Sequence, residues 1–287
     1  MPGNDESSLP DTEVHYLHSD HVGDDFRILV GHCQTAEPAS HVLYLGDPSF
    51  NFGTAVETVR LLTHFADIPP VLIVSVGYRA ATLSANEAPR SRDFTPSVDS
   101  RRPAPVPYEL GGASRFLSFL RDELKPWVRQ RYSIDPDDST LFGFSLGGLF
   151  ATYVLLNDPS TFGSYGIGSP SLDYDNGLMF DHETEYARTH TDLAAKVFFT
   201  VGEYENTQGE KRWLEGHSPR LRPSAEALYD PEPFDLIADT ERMVDQLRGR
   251  DYPGLDIDFE ILPREYHHTA PPLALSRSLR FLLNAPR

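Results

Sequence analysis

The 287-residue chain predicts an α/β fold, with a mostly parallel central sheet, helices on both faces and an antiparallel N-terminal hairpin. Three observations carry that prediction. Short, nearly unbroken apolar runs at 42–45, 71–76 and 196–201 have the character of strands buried on both faces. Stretches with apolar residues at helical spacing lie between such runs, so strand and helix alternate. Between Ser139 and Tyr153 the sequence STLFGFSLGGLFATY passes from a strand to a helix through a G-x-S-x-G turn.

Taken in order, residues 1–11 are rich in Ser, Asp, Gly and Pro and predict a disordered tail, ahead of one domain over 12–287. Runs at 14–17 and 26–30 around the polar link 19–25 predict an antiparallel hairpin at a sheet edge. Strand 42–45, Gly46-Asp47-Pro48-Ser49 and a helix over 54–65 form a strand-loop-helix unit. Strand 71–76 is followed by 77–111, a loop with no apolar period that carries Arg79, Arg90, Arg92, Arg101 and Arg102. A long amphipathic helix over 112–132 contains Pro126, where a kink is expected. The strand and helix around Ser145 come next, then strands at 165–168 and 196–201. A polar insertion at 206–233, with Trp213 and Tyr229, reads as a cap. Helix 235–248, strand 257–262 and helix 272–283 close the chain.

Composition narrows the function. The formal net charge of −18 argues against a nucleic-acid partner or an anionic membrane surface. Only three lysines occur, so arginine carries most of the positive charge, which is read as a coding bias. The single cysteine, Cys33, forms no internal disulfide and has no metal-ligand spacing around it, so no metal site is expected and the thiol is taken as buried and inert. The acidic N-terminus has no apolar leader core and no run is long enough to cross a bilayer, which predicts a cytoplasmic protein.

The G-x-S-x-G turn holds its serine in a strained conformation, and glycines on both sides are expected because side chains there would collide with the strand or the helix. Ser145 then stands at a strand end and a helix N-terminus, where unpaired amides and the helix dipole favour developing negative charge. A serine nucleophile requires a base and a group to orient it. Downstream, in order, come Glu203 and Glu205, then His267 and His268. Glu205, three residues past Gly202, is preferred over Glu203 as the acid, with Asp173 or Asp175 as outside candidates, and either histidine is open as the base. The Leu146 amide is the first oxyanion donor. Pro48 has no N–H, so Asp47 or Ser49 supplies the second. Arg90 and Arg92 are candidates to meet an anionic or oxygen-rich substrate.

Several segments carry a resemblance. They are Ser91-Arg92-Asp93-Phe94-Thr95-Pro96, Gly111-Gly112-Ala113 with its helix, 143–149, Ser169-Pro170-Ser171-Leu172, Val201-Gly202-Glu203-Tyr204-Glu205, and Glu265-Tyr266-His267 before Leu275-Ser276-Arg277. In that order, over 44–283, they resemble the esterase family of the α/β-hydrolase fold that includes siderophore esterases, esterase D-like enzymes, feruloyl esterases and mycolyltransferases. The resemblance implies a cofactor-free carboxylic ester hydrolase acting on a small-molecule ester, and its E-x-H pattern implies His267 as the base. Where siderophore esterases usually carry two tryptophans after S-P-S-L, this chain has Asp173-Tyr174, and the family's L-D-G is Gly46-Asp47-Pro48 here. Asp173, Tyr174 and Trp213 are therefore the further substrate-binding candidates, and the ester is left open among a siderophore lactone, an aryl ester and a simple acyl ester. An acyltransferase on the same scaffold is the alternative, and a non-catalytic binding protein the third reading.

Overall fold

The computed structural model describes residues 9–33, 37–79, 83–100, 108–216 and 233–284. Eight strands form one sheet in the order β1-β2-β4-β3-β5-β6-β7-β8. β1 (Thr12–Ser19) and β2 (Asp24–Gly31) are the antiparallel edge hairpin, and β2 also pairs antiparallel with β4 (Val71–Tyr78). β3 (His41–Leu45), β5 (Ser139–Phe144), β6 (Ser164–Gly168), β7 (Ala195–Gly202) and β8 (Leu255–Leu262) continue the sheet in parallel register.

Unbroken apolar runs suit these inner strands because alternate side chains enter two cores. Val42, Tyr44, Leu72 and Val74 face one layer, while Leu43, Leu45, Val71 and Ile73 face the other. The second layer is closed by α1 (Pro48–His64) and by the C-terminal helix α8 (Pro271–Leu283), through Val56, Val59, Leu275 and Leu279. The first is closed by α3 (residues 113–132), α4 (Leu146–Asn157), α5 (Tyr174–Thr189) and α7 (Leu236–Arg248), through Phe116, Phe150, Met179 and Val244. Each fully buried side chain of this size contributes roughly 1.5–3 kcal/mol. Among the described residues no helix is long and apolar enough to cross a membrane.

The structure adds to or corrects the sequence reading at four places. Residues 9–11 do not continue a tail: Leu9 packs on the second core, and the Asp11 carbonyl accepts from the His32 amide at 3.0 Å. Within the expected loop 77–111, Leu83–Phe94 is a helix, α2, disguised by Pro89 and by a mostly polar face; Arg101 and Arg102 lie outside the described residues. At Pro126, where a kink is expected, the helix runs on to Tyr132. The proline enters at the start of the α-helical segment Lys125–Tyr132, after a π-helical turn over Phe119–Leu124 in which the Lys125 amide donates to Leu120, five residues back. Finally, α5 fills a stretch that shows no apolar period, because its buried face carries Glu183, which is 1% exposed and held by a two-pronged Arg250 at 2.7 and 2.8 Å. The cap segment begins as a helix, α6 (Thr207–Gly216), and the rest of it, with Tyr229, lies outside the described residues.

At the end of the sheet remote from Ser145, His41 is buried between strands. Its Nδ1 lies 2.6 Å from Asp138 and its Nε2 2.9 Å from the Thr140 hydroxyl, which lies 2.6 Å from Ser164. Burial pushes the imidazole below its ordinary 6.5, against the opposing pull of Asp138. The unfolded chain therefore takes up a proton near that value before the folded chain does, and stability is lost as pH falls below it. Urea unfolding at pH 7.5 and 5.5 should show wild type losing stability on acidification and His41→Asn losing less of it. An equal or steeper loss in the variant contradicts this assignment.

Candidate active site

The β5–α4 turn sets the site. Ser145 adopts φ 60 and ψ −120, a conformation that a side chain rarely tolerates unless its surroundings enforce it. Here the Ser145 amide donates to the Gly168 carbonyl on β6 at 2.9 Å, and the Ser145 carbonyl accepts from Leu149 at 2.9 Å and from Ser171 at 3.3 Å. The backbone crowding falls differently from the expectation that both glycines flanking the serine are needed. A Cβ on Gly143 would stand 2.0 Å from the Gly147 carbonyl oxygen, and one on Gly148 would stand 2.7 Å from the Gly168 oxygen. A Cβ on Gly147 would meet nothing nearer than a Phe94 ring carbon at 3.6 Å. The positions that require glycine are therefore 143 and 148.

The strand ends bring Ser145, His267 and Glu205 together. His267, in the turn after β8, has Nε2 2.9 Å from Ser145 Oγ and Nδ1 2.8 Å from Glu205 Oε2. Glu205, just past β7, has a side chain that is 0% exposed. Its other oxygen accepts from Ser169 Oγ at 2.7 Å and from the Gly202 amide at 2.9 Å. Hydrogen bonds to both oxygens offset the cost of burying this group. The imidazole packs against the Phe144 ring at 5.0 Å, which limits its swing.

The alternatives make other contacts. Glu203 accepts from the Arg264 amide at 2.6 Å and so secures the turn that carries His267. His268 lies in an aromatic cluster, 5.0 Å from Trp213 and 5.9 Å from Tyr266 between ring centres. Asp175 accepts from Ser97 and Ser100 and anchors the loop after α2. Leu146 is the first residue of α4, where the geometry of a helix leaves its amide without an intrahelical acceptor. Asp47 caps α1 in a left-handed conformation beside Gly147, whereas Ser49 is exposed within that helix.

Three of the substrate-binding candidates are committed to the fold. Arg90 makes a two-pronged bridge to Asp47, at 2.6 and 2.8 Å. Arg92 forks onto buried Asp93 at 2.7 and 3.0 Å and reaches Asp24 at 3.0 Å. Tyr174 is buried, with its hydroxyl donating to the Ser97 carbonyl at 2.9 Å. Asp173 precedes α5 and is half-buried there. Trp213 does reach the site: it lines a cleft of about 560 Å³ with Tyr204, Phe234, Tyr266, His268 and Glu210, and Ser145 and His267 open into that cleft. Sequence reasoning missed Ser169 as a partner of Glu205, although the S-P-S-L segment drew attention to it. It also missed Phe234 and Tyr266 as walls, since isolated aromatics in loops carry no periodic signal.

Residues 20–225 match the family described as "Putative esterase". Ferri-bacillibactin esterase BesA of Bacillus subtilis (strain 168) is 29% identical over 290 residues, spanning 96% of this chain and 91% of that protein. Siderophore triacetylfusarinine C esterase of Aspergillus fumigatus is 30% identical over 248 residues, spanning 80% and 81% respectively. Among solved structures, the BES protein from Bacillus cereus superposes with a TM-score of 0.80 at 26% identity, over 99% of both chains. The chain belongs to this esterase family, and it is a carboxylic ester hydrolase built on the α/β-hydrolase fold.

Proposed function

We propose that the chain hydrolyses an ester-linked siderophore through a covalent acyl-enzyme on Ser145. The observation that carries this reading is the unbroken hydrogen-bonded series from Ser145 Oγ through His267 to buried Glu205, opening into the aromatic cleft. In the first step Ser145 Oγ attacks the ester carbonyl while His267 Nε2 takes its proton. Glu205 fixes the imidazole tautomer with the proton on Nδ1 and stabilises the imidazolium that forms. The tetrahedral oxyanion is received by the amides of Leu146 and Asp47. His267 then gives its proton to the departing alcohol, and water, activated by the same histidine, releases the acid.

The substrate class is supported by two features. The relatives are named for siderophore esters, and the cleft lies within the usual range for small-molecule sites, about 300–1,000 Å³. Its Trp213, Tyr204, Phe234 and Tyr266 walls offer flat apolar surfaces to the chelating groups of such a ligand. Water rather than an alcohol acceptor completes the reaction, and product analysis with an added alcohol separates hydrolysis from transfer.

Hydrolysis of a siderophore lactone, methyl ferulate and a p-nitrophenyl ester panel tests the reading. Ser145→Ala should lower kcat by more than about 10⁴-fold on every ester turned over, and the siderophore should give the highest kcat/KM. Retained activity in that variant contradicts the assignment of the nucleophile. Glu205→Ala should cost about 10³–10⁴-fold in kcat, while Glu203→Ala should cost less than about tenfold. The reverse order would assign the acid to Glu203.

A further inference from the structure

Asp47 and Arg90 form a clamp beside the reacting serine. Asp47 lies between β3 and α1 with φ 53 and ψ 54, and its carbonyl accepts from the amides of Phe50 at 2.9 Å and Asn51 at 3.0 Å, starting α1. Its side chain is only 9% exposed. An aspartate held in the left-handed region, with a buried charge, costs stability on both counts unless something compensates. Arg90 does so, with Nε donating to Oδ1 at 2.6 Å and Nη2 donating to Oδ2 at 2.8 Å. The guanidinium also lies over the Phe94 ring at 5.3 Å.

The turn around Asp47 is gripped from other sides as well. A Cβ on Gly46 would stand 2.5 Å from the Phe94 ring, and one on Gly77 would stand 2.4 Å from Pro48. Buried Asn51 donates from Nδ2 to the Gly46 carbonyl at 3.5 Å. In a trans peptide the C=O and the following N–H point to opposite sides, so this contact also orients the Asp47 amide. The elbow is adjacent: a Cβ on Gly147 would lie 3.7 Å from Asp47 Oδ2.

We propose that Arg90 is a positioning residue for catalysis, holding Asp47 so that its backbone amide is fixed as the second oxyanion donor. The proposal rests on the reading of Ser145 as an esterase nucleophile. Arg90 touches no substrate in this role, and its two-pronged geometry matters as well as its charge, since a lysine offers one mobile point charge in place of a rigid fork.

The test compares Arg90→Gln, Arg90→Lys and Asp47→Asn with wild type, using rates per active site titrated with a fluorophosphonate. Removal of one oxyanion donor typically costs about 10²–10³-fold in kcat. Arg90→Gln and Asp47→Asn should each lose about 10²-fold in kcat with KM within about threefold. Their affinity for a trifluoromethyl ketone, which forms the tetrahedral adduct, should fall in parallel. Arg90→Lys should stay at least about tenfold below wild type. If Arg90→Gln does not fold, the other two variants decide. Wild-type kcat per titrated site in either, or a rise in KM with unchanged ketone affinity, overturns the proposal. A Ser145→Ala control that keeps full activity would instead overturn the esterase reading beneath it.

Discussion

A carboxylate with no access to water governs the architecture of the site. Glu205 is held by Ser169, Gly202 and His267, and those donors come from the ends of three different strands or the turns after them. Those donors offset the cost of burying the carboxylate, and the parallel, in-register run of β6, β7 and β8 brings them together. Gly202 shows how tight the arrangement is. A Cβ there would stand 2.7 Å from the Glu205 carboxylate and 2.6 Å from the Glu265 carbonyl. The sheet thus fixes the acid, the acid fixes the histidine, and the histidine meets a serine that the neighbouring β6 backbone has bent into place.

Arginine does much of the joining outside this centre. Arg90 binds Asp47 at the start of α1, Arg92 binds Asp93 and the hairpin residue Asp24, and Arg250 binds Glu183 beneath α5. At Asp47, Asp93 and Glu183 a planar fork meets a carboxylate that is mostly or wholly out of water, whereas Asp24 is partly exposed and takes a single bond from Arg92. Such pairs add little net stability over an apolar contact, but removing one partner strands a buried charge at a cost of about 3–5 kcal/mol. They specify where a helix start or a loop must lie. That explains why the S-R-D-F-T-P segment has its charges pointed into the structure: Asp93 is 0% exposed, and Phe94 presses on the turn before α1.

The features readable from sequence were those with a strong local cause. Buried parallel strands announce themselves as apolar runs, and the elbow does so because backbone crowding demands glycine at Gly143. Ser145 and the histidine pair that includes His267 could be picked out by chain order, and Glu205, which the structure brings to His267, by its distance from Gly202. What stayed hidden depends on partners distant in sequence. A helix with Glu183 on its buried face shows no apolar period until Arg250 is seen beside it. Arg90 and Arg92 read as free cations because Asp47 and Asp24 lie 43 and 68 residues away. Tyr174 reads as a ligand platform until Ser97 is found to receive its hydroxyl. The need for glycine at 148, and the freedom at 147, follow from where β6 passes, which no local pattern records.

Ser145 is the proposed nucleophile, activated by His267 and Glu205. Mass spectrometry of the chain after reaction with a fluorophosphonate tests it most directly. One adduct per chain, located on the peptide containing Ser145 and accompanied by proportional loss of ester hydrolysis, is the predicted result. An adduct on another residue, or a fully active chain that takes up no label, would contradict it.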